Sequence, residues 1–361
     1  MNLLTELSIS VIIPVYNGGE IFRQCLSAIS ASLERPQEVI VVADGDTDSS
    51  WQVATDWGAK VIRVKEKGGP AQARNLGASQ AQGDILFFVD ADVTIAPDTI
   101  NQVRLAFAKD PSLAALIGSY DDTPGASNFL SQYKNLLHHY THQNANENAF
   151  TFWGACGAIR RDIFSAMGGF DETYRRPCVE DIELGYRLKA AGYKIELVKA
   201  LQVKHLKKWE VISLIKADVC DRALPWTQLI LHQGEMPSDL NLGWSSRLSV
   251  ILVYSLLLSL LACWWQWRLL IVSAVICALL TGINASVYHF FINKRGILFT
   301  LGVLPWHWFY YFYSGLAFVI GILRKGIINA HNVISIIDLF QNSFYVIIKL
   351  FLFTYLMPKD N

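Results

Sequence analysis

Asp84-Ile85-Leu86-Phe87-Phe88-Val89-Asp90-Ala91-Asp92 is the stretch on which the reading of this chain turns. Its apolar residues predict a strand buried on both faces. That strand ends in two carboxylates with one small residue between them. A buried strand has no structural need of them, because taking an unpaired charge out of water costs several kcal/mol. They have a use where the strand end opens into a crevice that holds a divalent cation. An Asp-x-Asp pair suits Mg²⁺ or Mn²⁺, which fill their remaining positions with water and substrate phosphates. The plainer alternative is a polar turn after a strand.

Working outward, the flanking sequence alternates strand and helix signals. Ile9–Val15 is a β-branched run that ends at Tyr16-Asn17-Gly18-Gly19 and leads into a helix near Glu20–Ser32. Glu38–Ala43 predicts a second strand, ending at Asp44-Gly45-Asp46, and Lys60–Lys65 a third. Gly68-Gly69-Pro70 opens a helix carrying Arg74 and Asn75, and Pro97 starts another after the Asp84–Val89 strand. Strands separated by helices imply right-handed crossovers and a mostly parallel sheet with helices on both faces. In such sheets the carboxyl ends of the strands form the binding crevice. Here those ends carry Tyr16, Asp44 and the Asp90/Asp92 pair.

The formal net charge of zero conceals an asymmetry. Residues 1–245 carry 23 Lys+Arg against 29 Asp+Glu, a balance of −6, and residues 246–361 carry 8 against 2, a balance of +6. The second part has three charge-free stretches, between Arg247 and Arg268, Arg268 and Lys294, and Arg295 and Arg324. Each is long enough to cross a bilayer core of about 30 Å at about 1.5 Å per residue. Trp264, Trp265, Trp267, Trp306 and Trp308 gather as interfacial aromatics do.

The expectation is a multi-pass protein of the inner (plasma) membrane with three spans. Met1–Leu7 has no basic residue and runs straight into a strand, unlike a secretory signal, so the globular part is expected in the cytosol. Lys204, Lys207, Lys208, Arg247, Lys294 and Arg295 agree with that orientation; Arg324 and Lys325 do not fit three spans, and Pro305 offers a bend there as the alternative. Ser335, Asp338, Asn342, Tyr345 and Lys349 form a polar stripe on an otherwise apolar helix, suited to lying in the interface. The six cysteines form no CxxC pair and read as free thiols. The acidic soluble part, with no basic aromatic stripe, excludes nucleic acid as a partner.

Ser10-Val11-Ile12-Ile13-Pro14-Val15-Tyr16-Asn17, Val41-Val42-Ala43-Asp44-Gly45-Asp46-Thr47-Asp48, Ala73-Arg74-Asn75-Leu76-Gly77 and Val89-Asp90-Ala91-Asp92, in this order, resemble glycosyltransferase family 2. Gly168-Gly169-Phe170-Asp171-Glu172 and Glu180-Asp181-Ile182-Glu183-Leu184-Gly185-Tyr186-Arg187-Leu188 resemble the acceptor-side motifs of that family. The resemblance covers about residues 8–205. It implies the GT-A fold, a nucleoside-diphosphate sugar as donor, a divalent cation and inversion at the anomeric carbon.

Carried over by position, the resemblance assigns Pro14, Tyr16, Asn17, Asp44, Arg74 and Asp90 to the donor. Asp44 would accept from the base, usually uracil; Ala43 and Asp46 depart from the residues frequent there, which leaves the base open. Arg74 would lie near the diphosphate. Asp92 is the main metal ligand, with Asp90 beside it and His205 as a possible third.

Glu180 and Asp181, with Glu183, open a helical run. Capping and dipole complementarity explain acids there for about 0.3–1 kcal/mol. The chemical reading makes Asp181, assisted by Glu180, the base that takes the proton from the acceptor hydroxyl. His138 and His142 share a helix face, but no Glu completes a zinc motif, and an acceptor-side helix is the better reading.

Arg222-Ala223-Leu224-Pro225-Trp226 is faintly similar to the Gln-x-x-Arg-Trp element of processive polysaccharide synthases, in the wrong order. With few spans to build a channel, that favours transfer of one sugar per event. The expected organisation is a GT-A domain over 1–205, an interfacial linker over 206–245, membrane helices over 246–325 and an amphipathic helix over 326–361. The acceptor is a membrane lipid, a polyprenyl phosphate or a lipid-linked glycan. The rivals are a processive synthase, a non-catalytic scaffold on a decayed domain, a nucleotidyltransferase, which needs cations after the first strand, and a dinucleotide oxidoreductase, which needs Gly-x-Gly-x-x-Gly there.

Overall fold

The computed structural model describes residues 7–234 and 240–328. Four βα units come first: β1 (Ile9–Val15) and α1 (Gly19–Ser30), β2 (Glu38–Asp44) and α2 (Ser50–Trp57), β3 (Lys60–Val64) and α3 (Pro70–Ser79), then β4 (Ile85–Val89), the short β5 (Val93–Ile95) and α4 (Thr99–Lys109). β6 (Leu113–Tyr120), α5 (Phe129–Asn144), β7 (Cys156–Arg160), α6 (Arg161–Ala166), α7 (Glu180–Ala190) and β8 (Lys194–His205) complete the α/β domain.

One eight-stranded sheet results, in the order β3-β2-β1-β4-β7-β6-β8-β5. β1 to β4 run parallel, as the alternating pattern predicts. The second half corrects the expectation of a mostly parallel sheet: β7 lies antiparallel between β4 and β6, and β5 pairs antiparallel with β8. The architecture is a mixed α/β sheet. The physical reason is that the β6–β7 connection, α5 included, leaves and re-enters the sheet at the same edge, so that Ile117 faces Gly157 and Ala115 faces Ile159 with β7 running back. β1, β2 and β4 are buried along their length, with Ile12, Ile13, Val41, Val42, Phe87 and Phe88 all inaccessible. At about 1.5–3 kcal/mol for each fully buried large side chain, this layer anchors the crevice above it.

After β8 the chain forms one long helical rod: α8 (Val211–Lys216), a π-helical stretch (Ala217–Ala223) and α9 (Leu224–Gln233). A one-turn 3₁₀ helix (Leu240–Leu242) leads to α10 (Trp244–Ala262), α11 (Leu269–Ile283), α12 (Ala285–Arg295) and α13 (Ile297–Ile328). Among the described residues, α10 is the one helix long and apolar enough to cross a membrane; α11 and α12, bent 67° from each other, make a second if they are one span.

The bend falls at Asn284, not at Pro305, through which α13 continues as one helix. Asn284 explains it: its Nδ2 donates to Leu280 O and to Ser249 Oγ, both at 2.9 Å, and its Oδ1 accepts from the Tyr311 hydroxyl at 2.8 Å. The side chain thus takes a carbonyl left by the helix and pins the kink to two neighbouring helices. The expected amphipathic helix over 326–361 lies, from residue 329 onward, outside the described residues.

The helical part packs directly on the α/β domain. Tyr133 and Leu136 of α5 share a buried cluster with Val287, Tyr288, Phe291 and Val303. Lys294 pairs with Asp122 across the same junction.

Candidate active site

The carboxyl end of β1 carries Pro14, Tyr16 and Asn17. Pro14 is tolerated inside the sheet because β4 pairs only with Ile9–Ile12, so the missing N–H of Pro14 faces no partner on that side. Asn17 takes a positive φ of 51° and accepts from the Thr47 amide through Oδ1 at 2.7 Å. Asp48 braces the same loop by accepting from the Gly19 amide at 2.9 Å and the Ser50 hydroxyl at 2.6 Å. Tyr16 is half exposed, with the Lys67 ammonium 3.4 Å over its ring.

Asp44 ends β2 and is buried. Its two oxygens accept from the Gly68 and Gly69 amides at 2.7 and 2.8 Å. Gly69 sits at φ 98°, where a Cβ would stand 2.5 Å from the Arg175 carbonyl oxygen, so this turn requires glycine. Asp44 therefore clamps the 68–69 loop, whatever else its remaining lone pairs accept.

Arg74 of α3 is the centre of the site. It is 4% exposed and reaches two acids on opposite sides: Asp90 Oδ1 at 2.7 Å and Glu180 Oε1 at 2.8 Å. Burial alone would disfavour its charge; Asp90 and Glu180 overturn that and hold the guanidinium protonated. Gly154 lets it lie there, since a Cβ at that position would stand 2.7 Å from Arg74 Cζ. Neighbouring Asn75 donates to the Phe170 carbonyl at 2.8 Å and to Glu172 at 2.9 Å. The two residues of one motif thus tie the end of β4 to the segment from Phe170 to Glu180.

Asp90 faces Arg74, so the Asp-x-Asp pair splits. Asp92 turns the other way, with Oδ2 3.4 Å from His205 Nε2. The antiparallel register Val93↔His205 brings the two together, although 113 positions separate them in sequence (205 − 92). His205 stacks on Tyr120 at 4.5 Å and donates from Nδ1 to Asn135 Oδ1 at 2.8 Å. Burial works against charge on Asp92, but His205 and Lys207 hold its carboxyl below the usual range.

Among the described residues, no three His, Cys, Asp or Glu side chains converge as a closed metal site. The donor set still fits a hard divalent cation. Nε2 of an imidazole oriented by Asn135 faces an anionic oxygen, and such ions take one or two protein donors and leave the rest to water and phosphate.

Glu180 and Asp181 open α7 and part company there. Glu180 is turned inward, onto Arg74 and the Cys178 amide, each at 2.8 Å, and so stands as a counter-charge to the guanidinium. Asp181 lines a cavity of about 90 Å³ together with His138, His142, Trp153 and Arg222. Its Oδ2 accepts from the Gly154 amide at 2.9 Å. Burial pushes the Asp181 carboxyl above the ordinary range, against the pull of the Gly154 amide and Arg74. A carboxylate so placed is a stronger base than one in water.

His138 and His142 lie tilted against each other on the cavity wall, ring centres 4.2 Å apart, and burial lowers His138 well below its ordinary value and His142 to about 4, so both are neutral imidazoles at physiological pH. Glu183 pairs with Arg187, which also donates to the Met167 and Gly169 carbonyls at 2.5 and 2.6 Å and fixes the turn before Phe170. Sequence reasoning gave no role to Arg187 and did not name Asn135. Arg187 stands inside a quoted motif, whereas nothing marks Asn135.

Residues 10–168 match the family model described as Glycosyl transferase family 2, and residues 135–210 match one described as the N-terminal domain of galactosyltransferase. The α/β domain belongs to glycosyltransferase family 2. This family 2 domain is 27% identical over 209 residues to the probable glycosyltransferase YdaM of Bacillus subtilis, covering 53% of this chain and 49% of that one. It is 28% identical over 210 residues to the dolichol-phosphate mannosyltransferase of Pyrococcus furiosus, covering 57% and 55%.

The chain spans about half or less of the length of the first curated relatives it matches. The mannosyltransferase PcManGT of Pyrobaculum calidifontis, solved in complex with GDP-Man and Mn²⁺, shares the fold, with a TM-score of 0.52 over 87% of each chain at 17% identity.

Proposed function

We propose that this family 2 glycosyltransferase transfers one sugar per event, with inversion, from a nucleoside-diphosphate sugar to a membrane-associated acceptor at the cytosolic face of the inner membrane. The observation that carries the reading is Arg74. One buried guanidinium joins the acid at the donor strand end to the acid preceding Asp181, so phosphate and base positions belong to one crevice.

In this reading Tyr16, Asn17 and the Asp44-clamped loop seat the nucleotide, with UDP as the first candidate. Asp92 and His205 would hold Mg²⁺ or Mn²⁺, and that ion would offset charge on the departing diphosphate. An acceptor hydroxyl enters through the Asp181 cavity, Asp181 takes its proton, and the oxygen attacks the anomeric carbon opposite the leaving group. One base on that face gives inversion.

Residues 206–245 would carry the domain at the interface and 246–325 would anchor it. α10 and the exposed Trp264, Trp265 and Trp267 at its end support that placement.

The direct test is transfer assayed across a panel of nucleotide sugars with membrane lipid extract, with and without Mn²⁺. Wild-type protein is expected to release nucleoside diphosphate in step with a lipid-soluble sugar product. Asp92→Ala is expected to remove the Mn²⁺ stimulation and to lower transfer by at least about 10–100-fold, the range for disturbing a metal shell. Full metal-stimulated turnover by Asp92→Ala would reject the role given to it.

A further inference from the structure

The small cavity at Asp181 does not end there. Arg222, Trp226 and Tyr310 on its wall also line a second space of about 600 Å³ between α9, α10 and α13. That second space is a single apolar cleft, walled by Ile230, Val250, Leu258, Phe318 and Val319. Ile251, Leu258 and Val319 on its rim are largely exposed, as residues against lipid chains would be.

At the junction stands Arg222, which lines both spaces and has Asp181 as a charge partner across the smaller one. Asp218, the acid of the cleft, is already engaged by the Lys134 ammonium and by the Tyr313 hydroxyl at 2.6 Å. Half-buried Arg222 makes no hydrogen bond and no contacting ion pair among the described residues. Its guanidinium donors, set between an apolar cleft and the Asp181 cavity, are therefore available to a ligand anion.

We infer that the acceptor is a single-chain lipid whose phosphate carries a hydroxylated headgroup: chain in the α10/α13 cleft, phosphate on Arg222, headgroup in the cavity beside Asp181. This rests on the transfer reading above and adds the acceptor class and the residue that selects it. The cleft's volume of about 600 Å³ sets one chain; Arg222 sets the phosphate; Asp181 sets the hydroxyl, since a base has no use where the phosphate itself attacks. In the step, the headgroup oxygen forms its bond to the anomeric carbon as the carbon–oxygen bond to the diphosphate breaks. The electron pair leaves on the nucleoside diphosphate and the hydroxyl proton goes to Asp181. The lipid phosphate is unchanged throughout.

The test uses the full chain in detergent with ¹⁴C-labelled UDP-glucose, UDP-N-acetylglucosamine and GDP-mannose. Bacterial membrane lipids are separated on an anion exchanger into neutral and anionic fractions. Label is expected only in the anionic fraction, in a product that survives mild alkali and that hydrogen fluoride, which cleaves phosphodiesters, turns water-soluble. Arg222→Gln is expected to raise the KM for the anionic fraction by about 10–100-fold, as loss of a charged hydrogen bond does, with a small effect on the KM for nucleotide sugar.

Arg222→Lys is expected to restore part of that loss. Ser255→Trp, which fills the cleft without touching Arg222, is expected to raise the same KM. Labelled neutral lipid, an alkali-labile two-chain product, or an unchanged lipid KM in both Arg222→Gln and Ser255→Trp would overturn the inference and leave the transfer reading standing. Nucleotide binding by calorimetry with no lipid labelled would also overturn it. Absence of any nucleotide binding would remove the transfer reading itself.

Discussion

Asp181→Asn is expected to lower the turnover number for sugar transfer by about 10²–10⁴-fold, the usual contribution of a positioned base. Asn keeps the size of the side chain and can still accept from the Gly154 amide, so the fold and the KM for nucleotide sugar should hardly move.

The pH profile gives a second reading of the same residue. Transfer needs the carboxylate form, so activity falls as pH drops through the Asp181 pKa. Burial raises that pKa, so the acid limb of the turnover number should lie above the ordinary Asp value of about 3.9, and Asp181→Asn should flatten it. Turnover near the wild-type level in Asp181→Asn would place the base elsewhere.

Arg74→Met is expected to lower the unfolding free energy by about 3–5 kcal/mol, because it leaves the buried Glu180 carboxylate without its partner. The effect should sit at the lower end of that range, since the Asp90 side chain is 32% exposed and water relieves it. The double variant Arg74→Met with Glu180→Gln should recover a good part of the loss, a coupling that urea unfolding of the four proteins in the cycle would read. Equal losses in the single and double variants would show that Arg74 stabilises the domain by packing on Phe170 instead, whose ring lies 5.5 Å from its Cζ.

The first four strands are legible in the sequence because each is a continuous apolar run closed by a turn, and local chemistry is enough to read that. The sites at their ends follow from the rule for parallel sheets. β7 is not legible: Cys156-Gly157-Ala158-Ile159-Arg160 is short and carries two small residues, and its direction depends on where α5 returns the chain.

His205 could be suspected as a ligand, but its place beside Asp92 depends on the register of β5 against β8, which no local signal sets. The split roles of neighbouring acids are likewise tertiary. In the sequence Asp90 reads as a donor or metal residue and Glu180 as a catalytic one; in the fold both face the guanidinium arriving from α3. Pro305 is the stronger breaker on paper, yet Asn284 makes the bend, because only there do neighbouring helices supply partners for what a break exposes.

The π-helical stretch Ala217–Ala223 sets the rotational phase of everything that follows it. Such wide turns are one residue richer than an ordinary helix. Regular winding of the same residues would swing Trp226 about 100° around the axis, the angle of one step at about 3.6 residues per turn, whereas regular winding with one residue deleted would leave Trp226 in phase. The wide turn thus absorbs one extra residue while Trp226 keeps its facing toward the cleft between α9, α10 and α13.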